Sequence, residues 1–291
     1  MKVAYFPGCS LHSTARDYDM SFQLVCRKLG IELEEIPHWV CCGASPAHVT
    51  SHLLSIALPC KNLVLAEEMG LNTIVAPCAA CFNRLKVAQQ GMAEDSQLNK
   101  DVEDVLGKPY GGKVEVKHPL QIMAEDIGLA KVEKMIRREL QGLKVASYYG
   151  CLLVRPPNMV GFDDPEDPQS MDDLVTALGG EALSWAFKTE CCGASFSLSE
   201  TDIVLELSGE ILNEALEAGA ECILVACPLC QSNLDLRQKG IEKRLGKKFN
   251  LPIIYFTELL GLALGLDMHE LGLSRHIISP SKLLERKLAV I

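Results

Sequence analysis

The sequence predicts an α/β protein of two pseudo-twofold-related repeats, each a small parallel sheet flanked by helices with cysteines at its strand ends. Three observations predict it. The chain repeats itself, short apolar runs alternate with helical stretches, and ten of the 13 cysteines recur in matched order. VAYFPGCSLH at Val3 returns as VASYYGCLLV at Val145. HWVCCGASPAH at His38 returns as KTECCGASFSL at Lys188, and NTIVAPCAACFNRL at Asn72 returns as ECILVACPLCQSNL at Glu221. Repetition of this kind outranks any local signal. It divides the chain into a first cysteine-rich half over 1–142 and a second over 143–291. The second half carries an insertion around Arg155 to Gln169, rich in Pro and Asp, which reads as a loop.

Within each half the order is strand, loop, helix. Lys2 to Phe6, Ile31 to Ile36, Thr73 to Ala76 and Val114 to Lys117 read as strands in the first half. Lys144 to Tyr148, Cys222 to Ala226 and Pro252 to Phe256 read as strands in the second. Helical stretches run over Ala15 to Leu29, His52 to Met69, Cys81 to Gln89 and Ser199 to Ala218. Strands alternating with helices imply a parallel sheet covered by helices.

Composition sets the outer limits. Hydrophobic residues make up 48% of 291, enough to build a core. The net charge of −10, with no Lys/Arg block, argues against nucleic acid as a partner. The opening MKVAYFPGCS reads as a buried strand and not a signal peptide, and Leu259 to Leu266 is too short to span a bilayer. The expectation is a cytoplasmic protein without direct membrane insertion. Cysteines in a reducing compartment point to metal or redox chemistry and not to disulfides.

Each half carries a single Cys, a CC pair and a CxxC. The first set is Cys9, Cys41, Cys42, Cys78 and Cys81; the second is Cys151, Cys191, Cys192, Cys227 and Cys230. Packing requires no such spacing, so the ten are candidate cluster ligands. Cys26, Cys60 and Cys222 fall outside the repeat in apolar segments and read as packing residues. Four thiolates suffice for structural zinc or for a [4Fe–4S] cubane. Five per half leaves either a spare cysteine or a cluster that is not a plain cubane. Gly43 and Gly193 follow the CC pairs and supply the bend that lets neighbouring cysteines reach one centre.

These residues resemble the CCG-domain proteins: CCGA occurs at Cys41 and at Cys191, with PCAAC at Pro77 and CPLC at Cys227. The resemblance covers essentially the whole chain. Within that family, YFPGCS from Tyr5 and GFDDPEDPQ from Gly161 look like the B-type subunits of heterodisulfide reductases of methanogens and related organisms. The resemblance implies two noncubane [4Fe–4S] clusters, one per half with five cysteines each. It also implies reduction of the coenzyme M–coenzyme B heterodisulfide, a small-molecule disulfide. The implied partners are a ferredoxin-like iron–sulfur subunit (C-type), a flavin subunit (A-type) and a hydrogenase. CCG domains also serve flavin oxidases and quinone-linked reductases, so an electron relay without disulfide chemistry is the alternative; a zinc-stabilised scaffold is a third.

Disulfide cleavage takes two electrons, and two clusters across a pseudo-twofold axis could deliver one each. The two cysteine sets should then face a shared cleft, beside the Arg155–Gln169 loop. An anionic substrate would need cations at its mouth, for which Arg155, Lys188, His12 and His38 are candidates. The chain lacks GxGxxG, a P-loop, CxxCH and a ferredoxin-type cysteine run, so electrons should come from a partner subunit.

Overall fold

In the computed structural model, which describes residues 1–44 and 47–290, the apolar run after Met1 forms the inner strand β1 (Lys2–Tyr5). It pairs in parallel with β2 (Glu32–Glu35) and β3 (Thr73–Val75), and β3 pairs with β4 (Glu115–Lys117). The sheet order is β2-β1-β3-β4. After a short β5 (Arg138–Glu139) the pattern starts again with β6 (Lys144–Tyr148), β7 (Glu181–Ala182), β8 (Cys222–Val225) and β9 (Ile253–Tyr255). Their order is β7-β6-β8-β9, again all parallel. The repeat read from cysteines is thus a repeat of topology. The two-residue β7 was not among the expected strands, because Glu181–Ala182 offers no apolar run to announce it. A last strand, β10 (Ala289–Val290), pairs antiparallel with β5.

Six helices matter to the site: α1 (Arg16–Leu29), α2 (His52–Glu68), α3 (Ala79–Glu94), α4 (Thr201–Glu217), α5 (Pro228–Asp235) and α6 (Phe256–Ala263). Helix α1 has Asp17 and Asp19 in its first turn and Arg27 and Lys28 in its last, each complementing the nearer end of the helix dipole. Gly30 ends it with a left-handed φ of 76°. Helix α2 is N-capped by Ser51, whose Oγ accepts from Leu54 N, and runs through Pro59. Helix α3 begins two residues before Cys81 and extends past Gln89 to Glu94.

The halves share one core. Helix α6 of the second half packs on α1 of the first. Between them Tyr18 stacks on Tyr255 with ring centroids 4.3 Å apart, and the Ser21 and Thr257 hydroxyls hydrogen-bond at 2.7 Å. The inserted segment forms a loop with one short helix over Pro157–Val160; Asp163 and Asp164 hold its turn by accepting from five of its backbone N–H groups, those of Asp164, Glu166, Asp167, Gln169 and Ser170. No helix among the described residues is long and apolar enough to cross a membrane.

Candidate cysteine-rich site between the halves

Every cysteine of the two sets follows a strand end. Cys9 follows β1, the Cys41–Cys42 pair follows β2, and Cys78 follows β3 and leads into α3, which carries Cys81. Cys151, Cys191–Cys192, Cys227 and Cys230 repeat this after β6, β7 and β8. Carboxyl ends of parallel strands are where α/β sheets gather ligands.

The structure brings the sets together. In the first half Cys42 Sγ lies 3.2 Å from Cys81 Sγ, Cys41 hydrogen-bonds Cys42, Cys78 hydrogen-bonds Cys81, and Cys9 is near enough to act on Cys41 by its charge. In the second, Cys192 Sγ lies 3.8 Å from Cys230 Sγ, Cys151 hydrogen-bonds Cys191, and Cys227 hydrogen-bonds Cys230. All five cysteines of the second half line one cavity, with Tyr148, Leu152 and Leu229. Its empty volume is about 470 Å³ including the open mouth. The sets also touch each other: the Cys78 and Cys227 thiols hydrogen-bond across the pseudo-twofold axis. The expectation of a shared cleft is met in this respect.

Two pairs of glycines make the convergence possible. A Cβ at Gly8 would sit 3.0 Å from Cys81 Sγ, and one at Gly150 would sit 2.9 Å from Cys230 Sγ. Gly43 and Gly193 turn the chain after the CC pairs with φ of 73° and 76°. Their amides donate to the first sulfur of each pair, Gly43 N to Cys41 Sγ at 3.4 Å and Gly193 N to Cys191 Sγ at 3.3 Å. Such N–H groups favour thiolate over thiol. Hydrogen bonding from Cys41 and then Cys81 lowers Cys42 to about 4, while Cys41 itself is pushed up. In the second half Cys151 lowers Cys191 to about 6 and is itself pushed up. Each half therefore keeps at least one ready thiolate, the form that binds metal. A soft-donor set of this kind fits thiolate-bound metal centres.

Cys26, Cys60 and Cys222 are kept apart from both sets, buried in the hydrophobic core. Burial raises all three thiols; Glu67 and Glu103 add to it at Cys60, which is pushed up to about 12, and Glu221 adds to it at Cys222.

One residue that sequence reasoning missed organises the junction. His118 directly follows β4 and is fully buried. Its Nδ1 accepts from Leu120 N, which makes Nε2 the protonated nitrogen of the neutral ring. Nε2–H is shared by the carbonyls of Pro77 (2.8 Å) and Ala226 (3.0 Å), the residues just before Cys78 and Cys227. Burial lowers His118 to about 4 and keeps it neutral. A lone histidine after a short strand carries no signal of this role; only the repeat alignment of Pro77 with Ala226 could have suggested that one donor serves both.

The cations expected at the mouth are spent elsewhere. Lys188 is buried and pairs with Asp167 at 2.5 Å and Asp172 at 2.6 Å. Arg155 donates to Pro165 O, Glu166 and Thr189. His12 lies 3.4 Å from Glu35 and packs edge-on against Trp39. His38 is exposed, in a left-handed turn with φ 55°. None of the four lines the cleft. The cation that does is Arg84, on α3, one turn after Cys81.

The model of the cysteine-rich domain CCG matches residues 3–86 and 145–235, which hold both cysteine sets. The chain belongs to the CCG cysteine-rich domain family. This CCG protein is 32% identical over 285 residues to the 8-methylmenaquinol:fumarate reductase membrane anchor subunit of Wolinella succinogenes, covering 97% of this chain and 99% of that one. It is 30% identical over 285 residues to the B-type subunit of the ferredoxin/F420H2-dependent CoB–CoM heterodisulfide reductase of Methanosarcina acetivorans, covering 95% and 94%. A solved structure of a hypothetical protein from Helicobacter pylori superposes with a TM-score of 0.76 at 12% identity, over 96% of this CCG protein and 52% of that chain, which shows the fold alone.

Proposed function

We propose that this CCG protein is the catalytic iron–sulfur subunit that reduces the coenzyme M–coenzyme B heterodisulfide to two thiols. In this reading Cys9, Cys41, Cys42, Cys78 and Cys81 hold one noncubane [4Fe–4S] cluster, and Cys151, Cys191, Cys192, Cys227 and Cys230 hold the other. The halves divide between 142 and 143. The observation that carries the reading is the meeting of two complete five-thiol sets at Cys78 and Cys227, in a cleft between the halves. When bound, the clusters would supply single electrons to a two-electron cleavage.

The chain's own residues do the rest. Gly8 and Gly150 let the backbone close on the sulfurs, the Gly43 and Gly193 amides stabilise thiolate charge, and His118 ties the loops before Cys78 and Cys227 into one unit. Apolar walls from Ala80, Leu152 and Leu229 limit water in the cleft. Named heterodisulfide reductase relatives support the substrate, and partner subunits of the ferredoxin-like and flavin types would supply the electrons. Anaerobically prepared protein should hold about eight irons and about eight sulfides and should turn over the heterodisulfide with an artificial reductant. Stoichiometric zinc with trace iron would sink the reading.

The second reading is an electron relay in a quinol-linked reductase, favoured by 32% identity to nearly the whole of a fumarate reductase subunit. A relay predicts the same iron content and no heterodisulfide turnover.

A further inference from the structure

The cleft between the halves contains a guanidinium with no carboxylate beside it; its charge bears on the Cys42 thiol, which it helps to lower. Arg84 lines a cavity with Ala44 and Ala80 from the first half and Leu152, Ala194 and Leu229 from the second. This cavity adjoins the five-cysteine cavity, with Ala80, Leu152, Ala194, Ser195 and Leu229 lining both. Among the described residues Arg84 is the one cation lining either cavity, and no carboxylate lies within ion-pair reach of it. Its one hydrogen bond goes from Nη2 to Asn83 Oδ1 at 2.9 Å. Asn83 is buried and itself fixed, donating from Nδ2 to Arg155 O at 2.9 Å and Leu152 O at 3.3 Å across the junction. The guanidinium is thus held in place from the second half, with most of its five donors free. A charge among apolar walls is costly unless something pairs with it. In a chain of net charge −10, this one is left without a carboxylate of its own.

We infer that Arg84 is the anion anchor of the cleft: it binds a carboxylate, sulfonate or phosphate of a small organic molecule whose other end reaches the second-half cysteines. This deepens the proposed function, on which the identity of the reactive end rests, and makes Arg84 a specificity-determining residue. An anionic disulfide satisfies the anchor; a neutral quinone ring does not.

The test uses two thiols of equal chain length that differ in charge, 2-mercaptoethanesulfonate and 2-mercaptoethanol. Their binding to anaerobic holoprotein is measured by titration calorimetry. Wild type should bind the sulfonate more tightly on the order of tenfold or more, the range of a charge-assisted hydrogen bond. Arg84→Gln should bring the ratio near one at unchanged iron content. Arg84→Lys should fall between, since a point charge replaces a two-pronged donor. Arg84→Lys decides the matter alone if Arg84→Gln fails to assemble: an undiminished preference there overturns the anchor. So does a wild type without preference, or an Arg84→Gln that keeps it. Loss of preference without heterodisulfide turnover by any form would leave the anchor standing and overturn the disulfide reading. Turnover with an unchanged preference would do the reverse.

Discussion

The two halves have the same strand order and the same five cysteines, yet they are not interchangeable. In the first, the CC pair and the CxxC close to 3.2 Å between Cys42 and Cys81; in the second, the equivalent Cys192 and Cys230 stand 3.8 Å apart and line an open cavity with their three companions. The residue after the fourth strand is His118 in the first half and Phe256 in the second. One Nε2–H placed between the Pro77 and Ala226 carbonyls serves both, so the second half needs no donor of its own there. The difference teaches that the duplication is kept where each half must build a complete thiol set, and broken where one side chain on the axis can act for two. It also leaves the more open cavity on the second-half side, beside the one lined by Arg84.

The largest expected effect breaks the halves apart. Replacing Cys9 or Cys42 by Ser should remove the first-half cluster and leave the second, lowering iron from about eight to about four per chain. Cys151→Ser or Cys192→Ser should do the mirror experiment. Iron and sulfide analysis with low-temperature EPR measures both. Heterodisulfide reduction should fall to background in all four, because both electrons are required. Loss of all iron from one substitution would show that the sets do not assemble independently.

Next come the histidines of the junction, whose titrations oppose each other. His276 Nε2 lies 2.8 Å from Glu258 and 3.9 Å from Asp17, tying α6 to α1. Burial pulls His276 down, but Glu258 and Asp17 outweigh it and raise the ring to about 9. A raised folded value stabilises fully below the unfolded value of about 6.5 and is lost as pH rises through 9. His118 is lowered to about 4 by burial, so its share is present above about 6.5 and lost as pH falls through 4. Each limb spans about 2.5 pH units, on the order of 3 kcal/mol at most. The joint contribution of these two histidines is therefore greatest near pH 6.5 and is read by comparing wild type with each variant in denaturant titrations across pH. His276→Gln should flatten the alkaline limb and His118→Phe the acid limb. His118→Phe, which copies Phe256, should also cost about 1–3 kcal/mol at pH 7 by leaving the buried Pro77 carbonyl without its donor and Ala226 O with only the long bond from the Tyr18 hydroxyl. A variant as stable as wild type at pH 7 would refute the clamp.

Much of this was legible beforehand, and for a physical reason. Strands buried on both faces read as apolar runs and half-buried ones such as β2 as alternation, so seven of the eight strands of the two parallel sheets were visible, whereas β7 has two residues and no such pattern. Thiol ligation demands cysteine, so a repeat of cysteines marks where the sets converge. Charge is different. Whether a cation is free depends on which acids the fold brings to it, and sequence spacing does not say. Lys188 sits three residues before a CC pair yet is consumed by Asp167 and Asp172; Arg84 looks like an ordinary helix surface residue yet meets no carboxylate. His118 and His276 were unreadable for the same reason, since their partners come from distant elements.

The smallest effect concerns the cysteines outside the sets, and the halves supply the substitutions. Helices α2 and α4 each run 17 residues, and their alignment sets Cys60 opposite Gly209. The CxxC alignment sets Cys222, at the start of β8, opposite Thr73 at the start of β3. The positions are not equivalent in packing. A Cβ at Gly209 would meet Leu245 at 2.9 Å and Ile241 at 3.0 Å, so α4 needs glycine there, while α2 has room for a buried thiol. Thr73 is half-buried, but Cys222 is fully buried. Cys222→Thr therefore places a hydroxyl where the first half lets it reach the surface, and should cost about 1–3 kcal/mol. Cys60→Ser should cost a similar amount, and Cys26→Ser likewise. None should change iron content or the EPR spectrum, because none of these thiols touches either set. Iron lost from Cys60→Ser or Cys222→Thr, at a stability still well above unfolding, would mean that the ligand sets have been drawn around the wrong cysteines.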